Sequence, residues 1–360
     1  MQRFCDHFAL SVSSPFVRSF FPTSMSTPAT KRVLITGAAG QIGYSLVPLV
    51  AMGKVCGENT PVDLVLFDIP QALASLKGLL LEIEDGAYPL LRKVIVTDDI
   101  SVAFEGVQVA LMVGGFPRLP GMDRKDLLAK NAQIFVAAGK ALNEHADKNC
   151  KILVVANPAN TNCYIMQQNA PSIPKENFSC LTRLDHNRAV SQAAIKAGVP
   201  AAAVKRITIW GNHSNTMVPD LDHASINGAP AAEAIADAAW VKDSFTPTVQ
   251  NRGAAVLAAR QKSSAMSAAN GVANHVYDWL NGTADKDDWV SMGVVSQGWY
   301  GVAKDIVFSF PVKVTGDGKY TVVEGLEISA DMQAAIKASE AELLKEKATF
   351  EEIQAEAKQA

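Results

Sequence analysis

The stretch Arg32–Val50, RVLITGAAGQIGYSLVPLV, decides how the rest of the chain is read. A β-branched apolar run passes into a glycine-rich turn and then into apolar residues at helical spacing. It therefore predicts strand, tight turn and helix in immediate succession. Gly37, Gly40 and Gly43 stand at the end of the strand and the start of the helix. The turn needs Gly37, close approach of a pyrophosphate to the backbone needs Gly40, and Gly43 lets the helix lie against the strand. The first helical amides, at Gln41 and Ile42, add donors and positive potential. Glycines at this spacing occur in many loops, and it is the strand–turn–helix setting that points to a dinucleotide site.

Working outward, short apolar runs alternate with helical patterns. The expected strands are Arg32–Thr36, Val62–Phe67, Lys93–Thr97, Val107–Val113 and Lys151–Ala156, and the expected helices Gln41–Met52, Leu73–Glu84 and Lys125–Asn149. Strands that are apolar on both faces require a parallel sheet covered by helices on each side. The fold class is thus α/β: a doubly wound Rossmann domain over residues 31–177, followed by an α+β catalytic domain over 178–360. In that second part the alternation breaks down. Strands Arg206–Trp210 and Ile306–Val314 mix with one long helical stretch, Thr248–Leu280, and a charged helix, Ala330–Lys358, ends the sequence.

The second strand ends at Asp68, slightly beyond the roughly 20-residue offset expected of a ribose-binding acid. A carboxylate there accepts hydrogen bonds from both ribose hydroxyls and repels a 2′-phosphate. Ile69, Pro70 and Gln71 supply no compensating cation, which favours NAD over NADP. The plainer alternative is an aspartate capping the next helix. A Tyr-x-x-x-Lys pair of the sort used by short-chain reductases exists at Tyr300 and Lys304. It lies too far along the chain to serve this nucleotide loop and reads as coincidence.

Oxidising an alcohol needs a base for the hydroxyl proton, a partner for the charged base, and cations for substrate carboxylates. LTRLDHNRA (Leu181–Ala189) and ITIWGNHSN (Ile207–Asn215) offer these parts. Asp185 and Arg188, three apart, share a helix face. His213 follows a β-rich run ending in Trp210-Gly211, and an aspartate on its ring N–H would fix its tautomer. A lone histidine is more often a packed or surface residue. His186, the rival, points off the Asp185–Arg188 face and reads as structural. After the fourth strand comes GGFPRLPGMDRKDLL (Gly114–Leu128), a Gly/Pro loop carrying Arg118 and Arg124 beside Phe116, Leu119 and Met122. It suits a lid that closes over a substrate with more than one negative charge.

Composition removes other function classes. The 360 residues carry a formal net charge of −3 with no dense basic run, so nucleic acid is not an expected partner. No apolar stretch approaches membrane-spanning length. The five cysteines are scattered without metal-ligand spacing and read as reduced intracellular thiols. The first 24 residues, rich in Ser and Phe, are expected to remain unfolded. They are either an organellar presequence or an upstream extension of a chain beginning at Met25.

Four motifs, VANPANTN (Val155–Asn162), SCLTRLDHNRA (Ser179–Ala189), IWGNHS (Ile209–Ser214) and PRLPGMDRKDLL (Pro117–Leu128), together closely resemble malate dehydrogenases of the cytosolic type, in the lactate/malate dehydrogenase superfamily. The likeness runs from Lys31 to the C-terminus. It implies an NAD-binding Rossmann domain joined to a catalytic domain, a cytoplasmic homodimer, and malate and oxaloacetate as substrates. It places the proton acceptor on His213 and its carboxylate partner on Asp185. Arg188 would grip the C1 carboxylate, Arg118 the distal one, and Arg124 would polarise the reacting carbonyl. Asn157 would contact substrate and nicotinamide, and Asn131 and Val155 the cofactor. Arg118 is what separates malate from lactate, since lactate dehydrogenases use a neutral residue there. The sequence departs from the family at Leu119-Pro120 and at Ala138, where a cofactor-contacting glutamine is common, so one cofactor contact is expected to be missing.

Overall fold

The computed structural model describes residues 16–19, 29–117, 122 and 124–359. Its first strands are Phe16–Ser19 (β1), Lys31–Thr36 (β2), Val62–Phe67 (β3), Leu91–Thr97 (β4), Val109–Met112 (β5), Lys151–Val154 (β6) and Phe178–Cys180 (β7). Short strands follow at Val204–Lys205 (β8), Thr208–Trp210 (β9), Val218–Asp220 (β10), Ser225–Ile226 (β11) and Ala229–Pro230 (β12). Val290–Val295 (β13), Val307–Val314 (β14) and Tyr320–Val322 (β15) complete the set. Ten of them form one sheet in the order β1-β4-β3-β2-β5-β6-β7-β13-β14-β15. From β4 to β7 the pairing is parallel, as the doubly wound reading requires.

Alternate residues of each strand enter two different cores, which is why the strands read as unbroken apolar runs. Val33 and Ile35 of β2 pack with Leu64 and Leu66 of β3 under helices Gln41–Ala51 (α1) and Leu73–Asp85 (α2). Leu34 and Val65 face the opposite layer, made by Ile100–Phe104 (α3), Arg124–His145 (α4) and Ala159–Gln168 (α5). The second part of the chain contributes Arg183–Ala197 (α6), Ala231–Ile235 (α7), Ala238–Trp240 (α8), Thr246–Arg260 (α9), Met266–Asn281 (α10) and Ala330–Gln359 (α11). Helix α10 lays Ala268, Ala269, Val272 and Val276 into the same core as α1, so the two domains share an apolar interface.

Three expectations need correction. Phe178–Cys180, placed with the second domain, pairs parallel to β6 and closes the first sheet; three residues are too few to show a period. On its other side β7 pairs antiparallel to β13, so the second domain extends the same sheet. The expected long helix Thr248–Leu280 is two helices. Gln261 adopts a left-handed φ of 56°, and the serines that follow favour local bonds over helix continuation. Within the N-terminal extension, Phe16–Ser19 is a strand on the exposed edge of β4. Phe16 packs against the core and Arg18 pairs with Glu84 at 3.1 Å. An open strand edge with unpaired N–H and C=O groups is a template for such pairing. Residues 1–15 and 20–28 lie outside the described residues.

His275 of α10 is wholly buried, with Nε2 3.0 Å from Ser179 Oγ. Ser179 donates its proton to the Gly293 carbonyl at 2.9 Å, so His275 must be the donor to Ser179. Burial, assisted by the positive Arg183, pushes the imidazole pKa down to about 3. The folded state therefore resists a proton that the unfolded chain accepts below the ordinary histidine value. Stability is fully present above about pH 6.5 and is lost progressively as pH falls from there towards 3. His275 alone should cost about 2 kcal/mol between pH 7 and pH 5. A His275→Asn chain, which keeps a side-chain N–H, should lose that much less over the same interval. Denaturant titrations at the two pH values measure it, and equal losses in both chains would refute it.

Candidate active site

The strand order reverses between β2 and β5, so the crevice beyond their carboxyl ends is a topological switch point. Both sides of that crevice are glycine. Gly37 sits at φ 64°, and a Cβ on it would lie 2.5 Å from Gly114 Cα. No larger residue fits between the loop after β2 and the loop after β5. Gly43 is needed for a second contact, because its Cβ would come within 2.6 Å of the Ala38 carbonyl oxygen. The first turn of α1 has no side-chain cap, which leaves its amides to an anion. Gly40 and Gln41 are exposed at the mouth, while Ile42 is half-buried against the core.

Asp68 follows β3 into this crevice. Its Oδ2 accepts from the Ala39 amide at 3.0 Å and its Oδ1 from the Ile69 amide at 2.8 Å. The carboxylate is thereby tied to the nucleotide loop and aimed, with lone pairs left for a ribose diol. An uncapped helix start, a cradle that a Cβ would fill and a fixed carboxylate suit an NAD dinucleotide, as expected from the residues.

The candidate proton-transfer group assembles from two elements. Helix α6 starts two residues after β7 and carries Asp185 in its first turn. The segment after β9 leaves the hairpin at Gly211, φ 100°, and presents His213. His213 Nδ1 hydrogen-bonds Asp185 Oδ2, while Arg188 Nη1 donates to Asp185 Oδ1 at 2.9 Å. The Asp185 side chain is 0% exposed, against 15% for His213 and 12% for Arg188. The carboxyl group thus gives one oxygen to each neighbour, and the outer edges of both His213 and Arg188 keep their access. Asp185 as acceptor places the imidazole proton on Nδ1, so Nε2 carries the free lone pair.

Two residues at this site carried no expectation. Asn160 is fully buried at the start of α5. Its Oδ1 accepts the His213 amide at 2.9 Å, and its Nδ2 donates to the carbonyls of Val307 and Gly211 at 3.0 and 3.3 Å. It lies within VANPANTN, where a run of amides was a usable signal. Ser264 Oγ stands 3.5 Å from Arg188 Nη2, brought there by the break between α9 and α10; no local pattern marks it.

Asn131 in α4 uses its amide to hold the chain. It accepts from the Phe116 amide at 2.7 Å and donates at 3.1 Å to the carbonyls of Phe116 and Asn157. The start of the loop after β5 is thus fastened to the turn after β6, where the Asn157–Pro158 bond is cis and Asn157 is exposed. Val155 is buried at the end of β6. Arg118, Leu119 and Pro120 lie outside the described residues. Arg124 opens α4, and its side chain is likewise outside them. Ala138 is buried in the core beneath α4.

Other expectations settle on geometry. His186 is buried, bonded through Nδ1 to Ser291 Oγ at 3.1 Å, and burial holds its pKa well below the ordinary value; it is structural. Tyr300 donates to the Val323 carbonyl at 2.6 Å and packs edge-on against Trp210, so its hydroxyl is committed within the second domain. Cys56, Cys150, Cys163 and Cys180 are buried, and burial raises each thiol pKa. Cys5 lies outside the described residues. Among the described residues, no cluster of His, Cys, Asp or Glu could hold a metal ion, and no helix is long and apolar enough to cross a membrane.

Comparison with known proteins assigns both domains to one family. Residues 31–179 match the lactate/malate dehydrogenase NAD-binding domain, and residues 182–354 match the alpha/beta C-terminal domain of the same family. A probable malate dehydrogenase 3 of Dictyostelium discoideum is 53% identical over 321 residues, covering 88% of this chain and 96% of that protein. The crystal structure of malate dehydrogenase from Naegleria fowleri superposes with a TM-score of 0.87 at 44% identity, covering 91% and 99% of the two chains. Lactate dehydrogenase of Trichomonas vaginalis in complex with NADH and oxamate gives 0.86 at 37% identity, covering 91% and 100%. The chain belongs to the lactate/malate dehydrogenase family, whose N-terminal domain is an NAD-binding Rossmann domain.

Proposed function

We propose that this protein is a malate dehydrogenase, interconverting (S)-malate and oxaloacetate. The observation that carries the reading is Asp185 bridging His213 and Arg188 past the carboxyl end of β7, on the sheet edge that also holds the nucleotide crevice. Bound NAD supplies the acceptor for the hydrogen that leaves C2 with its electron pair. His213 Nε2 takes the C2 hydroxyl proton, and the imidazolium formed is stabilised through Nδ1 by Asp185. Arg188, with donors beyond the one spent on Asp185, holds the C1 carboxylate in bidentate fashion next to the ring. Asn157, whose backbone is fastened by Asn131, helps to orient the substrate.

The choice of malate over lactate rests on the lid sequence. Arg118 offers a guanidinium for the second carboxylate, and Arg124 one for the reacting carbonyl. A methyl-terminated substrate would leave the Arg118 charge unpaired in a closed, dry site, at a cost of about 3–5 kcal/mol. The names of the Dictyostelium and Naegleria proteins support the same choice, while the Trichomonas relative shows that this fold also serves lactate. We also propose a homodimer. Tyr44 and Met52 on and after α1, Leu81 on α2, Leu257 on α9 and Met266 on α10 expose apolar surface that association would cover. A cytoplasmic location goes with translation from Met25, and an organelle with cleavage near it. Sedimentation of the purified chain and the N-terminal sequence of the mature protein decide these two points.

Asp185→Asn should leave NADH binding in place and lower turnover about a thousandfold or more, by analogy with loss of the aspartate in other histidine-based sites. Turnover within tenfold of wild type would remove Asp185 from the mechanism. The wild-type protein should reduce oxaloacetate far faster than pyruvate. Arg118→Gln should cut kcat/KM for oxaloacetate about a hundred- to a few-thousandfold while sparing or improving pyruvate. Equal use of both substrates by the wild type would contradict the malate reading.

A further inference from the structure

His213 stands on an irregular segment. After the isolated bridge between Gly211 and Ser309, Asn212–Thr216 belongs to no strand or helix. Asp185 fixes the His213 ring and Asn160 its amide, but the residues on both sides need their own anchors. These come from the C-terminal helix, about 130 residues further along the chain. Ser339, Glu342 and Glu346 of α11, spaced by three and four, lie on one helix face. Ser339 Oγ accepts the Asn212 amide at 2.8 Å. Glu342 Oε2 alone accepts three donors: Asn212 Nδ2 at 2.9 Å, Thr216 Oγ1 at 2.7 Å and the Ser214 hydroxyl. Glu346 Oε1 accepts Asn212 Nδ2 at 3.3 Å, and its Oε2 accepts the Thr161 hydroxyl, next to Asn160 on α5. Gly211 admits this close approach, because a Cβ there would fall 2.2 Å from Ser339 Oγ.

Three donors converging on one oxygen suit an ionised carboxylate. An amide oxygen carries no full charge to hold them, and a protonated acid would turn one of its oxygens into a donor. The residues gripped are those that flank His213, at 212, 214 and 216. Resting on the dehydrogenase reading above, we infer that Glu342 is a positioning residue for His213. Its carboxylate sets where the imidazole Nε2 stands relative to the substrate hydroxyl, and touches neither substrate nor cofactor. Glu346 and Ser339 complete the clamp, so helix α11 serves proton transfer as well as packing. A displacement of about 1 Å at a reacting group is enough to cost about a hundredfold in rate.

The first measurement is oxaloacetate reduction by the wild-type protein; failure there would overturn the proposed function and this inference with it, whereas an active wild type with an unaffected Glu342 variant would overturn this inference alone. With that activity in hand, Glu342→Met, which keeps length and removes the acceptor, should slow single-turnover NADH oxidation about 10- to 100-fold. NADH affinity and KM for oxaloacetate should stay within about threefold, and Glu342→Gln should fall between Met and wild type. Thr216→Val should cost less alone and add little to Glu342→Met, since both break the same contact. A rate within twofold of wild type, a matching collapse of NADH affinity, or full additivity in this cycle would each overturn the inference. If Glu342→Met does not accumulate folded, Glu342→Gln replaces it in the cycle and the same outcomes decide.

Discussion

A fully buried carboxyl group is costly without hydrogen-bond partners, and Asp185 is such a group. Its two oxygens are divided between His213 and Arg188, so its charge is met on both sides inside the fold. The arrangement assembles only when α6 is seated after β7 and the segment after β9 has closed over it. The cost of leaving Asp185 unpaired therefore ties the completion of the second domain to the completion of the site. The same bond sets the histidine tautomer, so the stability of the interior and the free lone pair on His213 Nε2 depend on one contact.

The scaffold that permits this is a single sheet that changes character partway across. Its parallel half offers carboxyl ends and a glycine crevice at the β2/β5 switch point; its antiparallel half carries the second domain into register. Polar residues are buried at the join. Ser179 and His275, Ser291 and His186, Ser309 and Thr182 hydrogen-bond one another across it. Ser291 Oγ also accepts the amide of Ile209, four residues before His213. Arg183 and Asp278 pair at 2.6 Å between α6 and α10. An apolar join would hold as well, but a hydrogen-bonded one specifies a single register, which a site built from two domains requires.

Much of the fold could be read from the chain. Arg32–Val50 displays its whole supersecondary unit within 19 residues, and β2, β3 and α1 end within a residue or so of expectation. What escaped is short or depends on partners. β7 has three residues, and β1 exists because the edge of β4 was open to pairing. The break between α9 and α10 lies in a stretch of alanine and serine with no Gly or Pro to mark it. For the site, Asp185, Arg188 and His213 were legible because dehydrogenation demands those residue types. Asn160, Ser264 and Glu342 were not, since an amide, a hydroxyl or a surface-like glutamate on a charged helix matches no chemical template until its neighbours are known.

The sequence by itself determined the class of fold and the nucleotide loop, and it named the residues of the candidate proton-transfer group. These follow from local spacing and from the side-chain chemistry that a reaction needs. Only the tertiary structure decided that Asp185 gives separate oxygens to His213 and Arg188, and that Asn131 spends its amide on Phe116 and Asn157. It alone showed that the final helix reaches back to hold the segment that carries His213. The reason is distance along the chain: Asp185 and His213 are 28 residues apart, and Thr216 and Glu342 are 126 apart. Periodicity reports which face of an element is apolar, but not which far-off polar group will meet it.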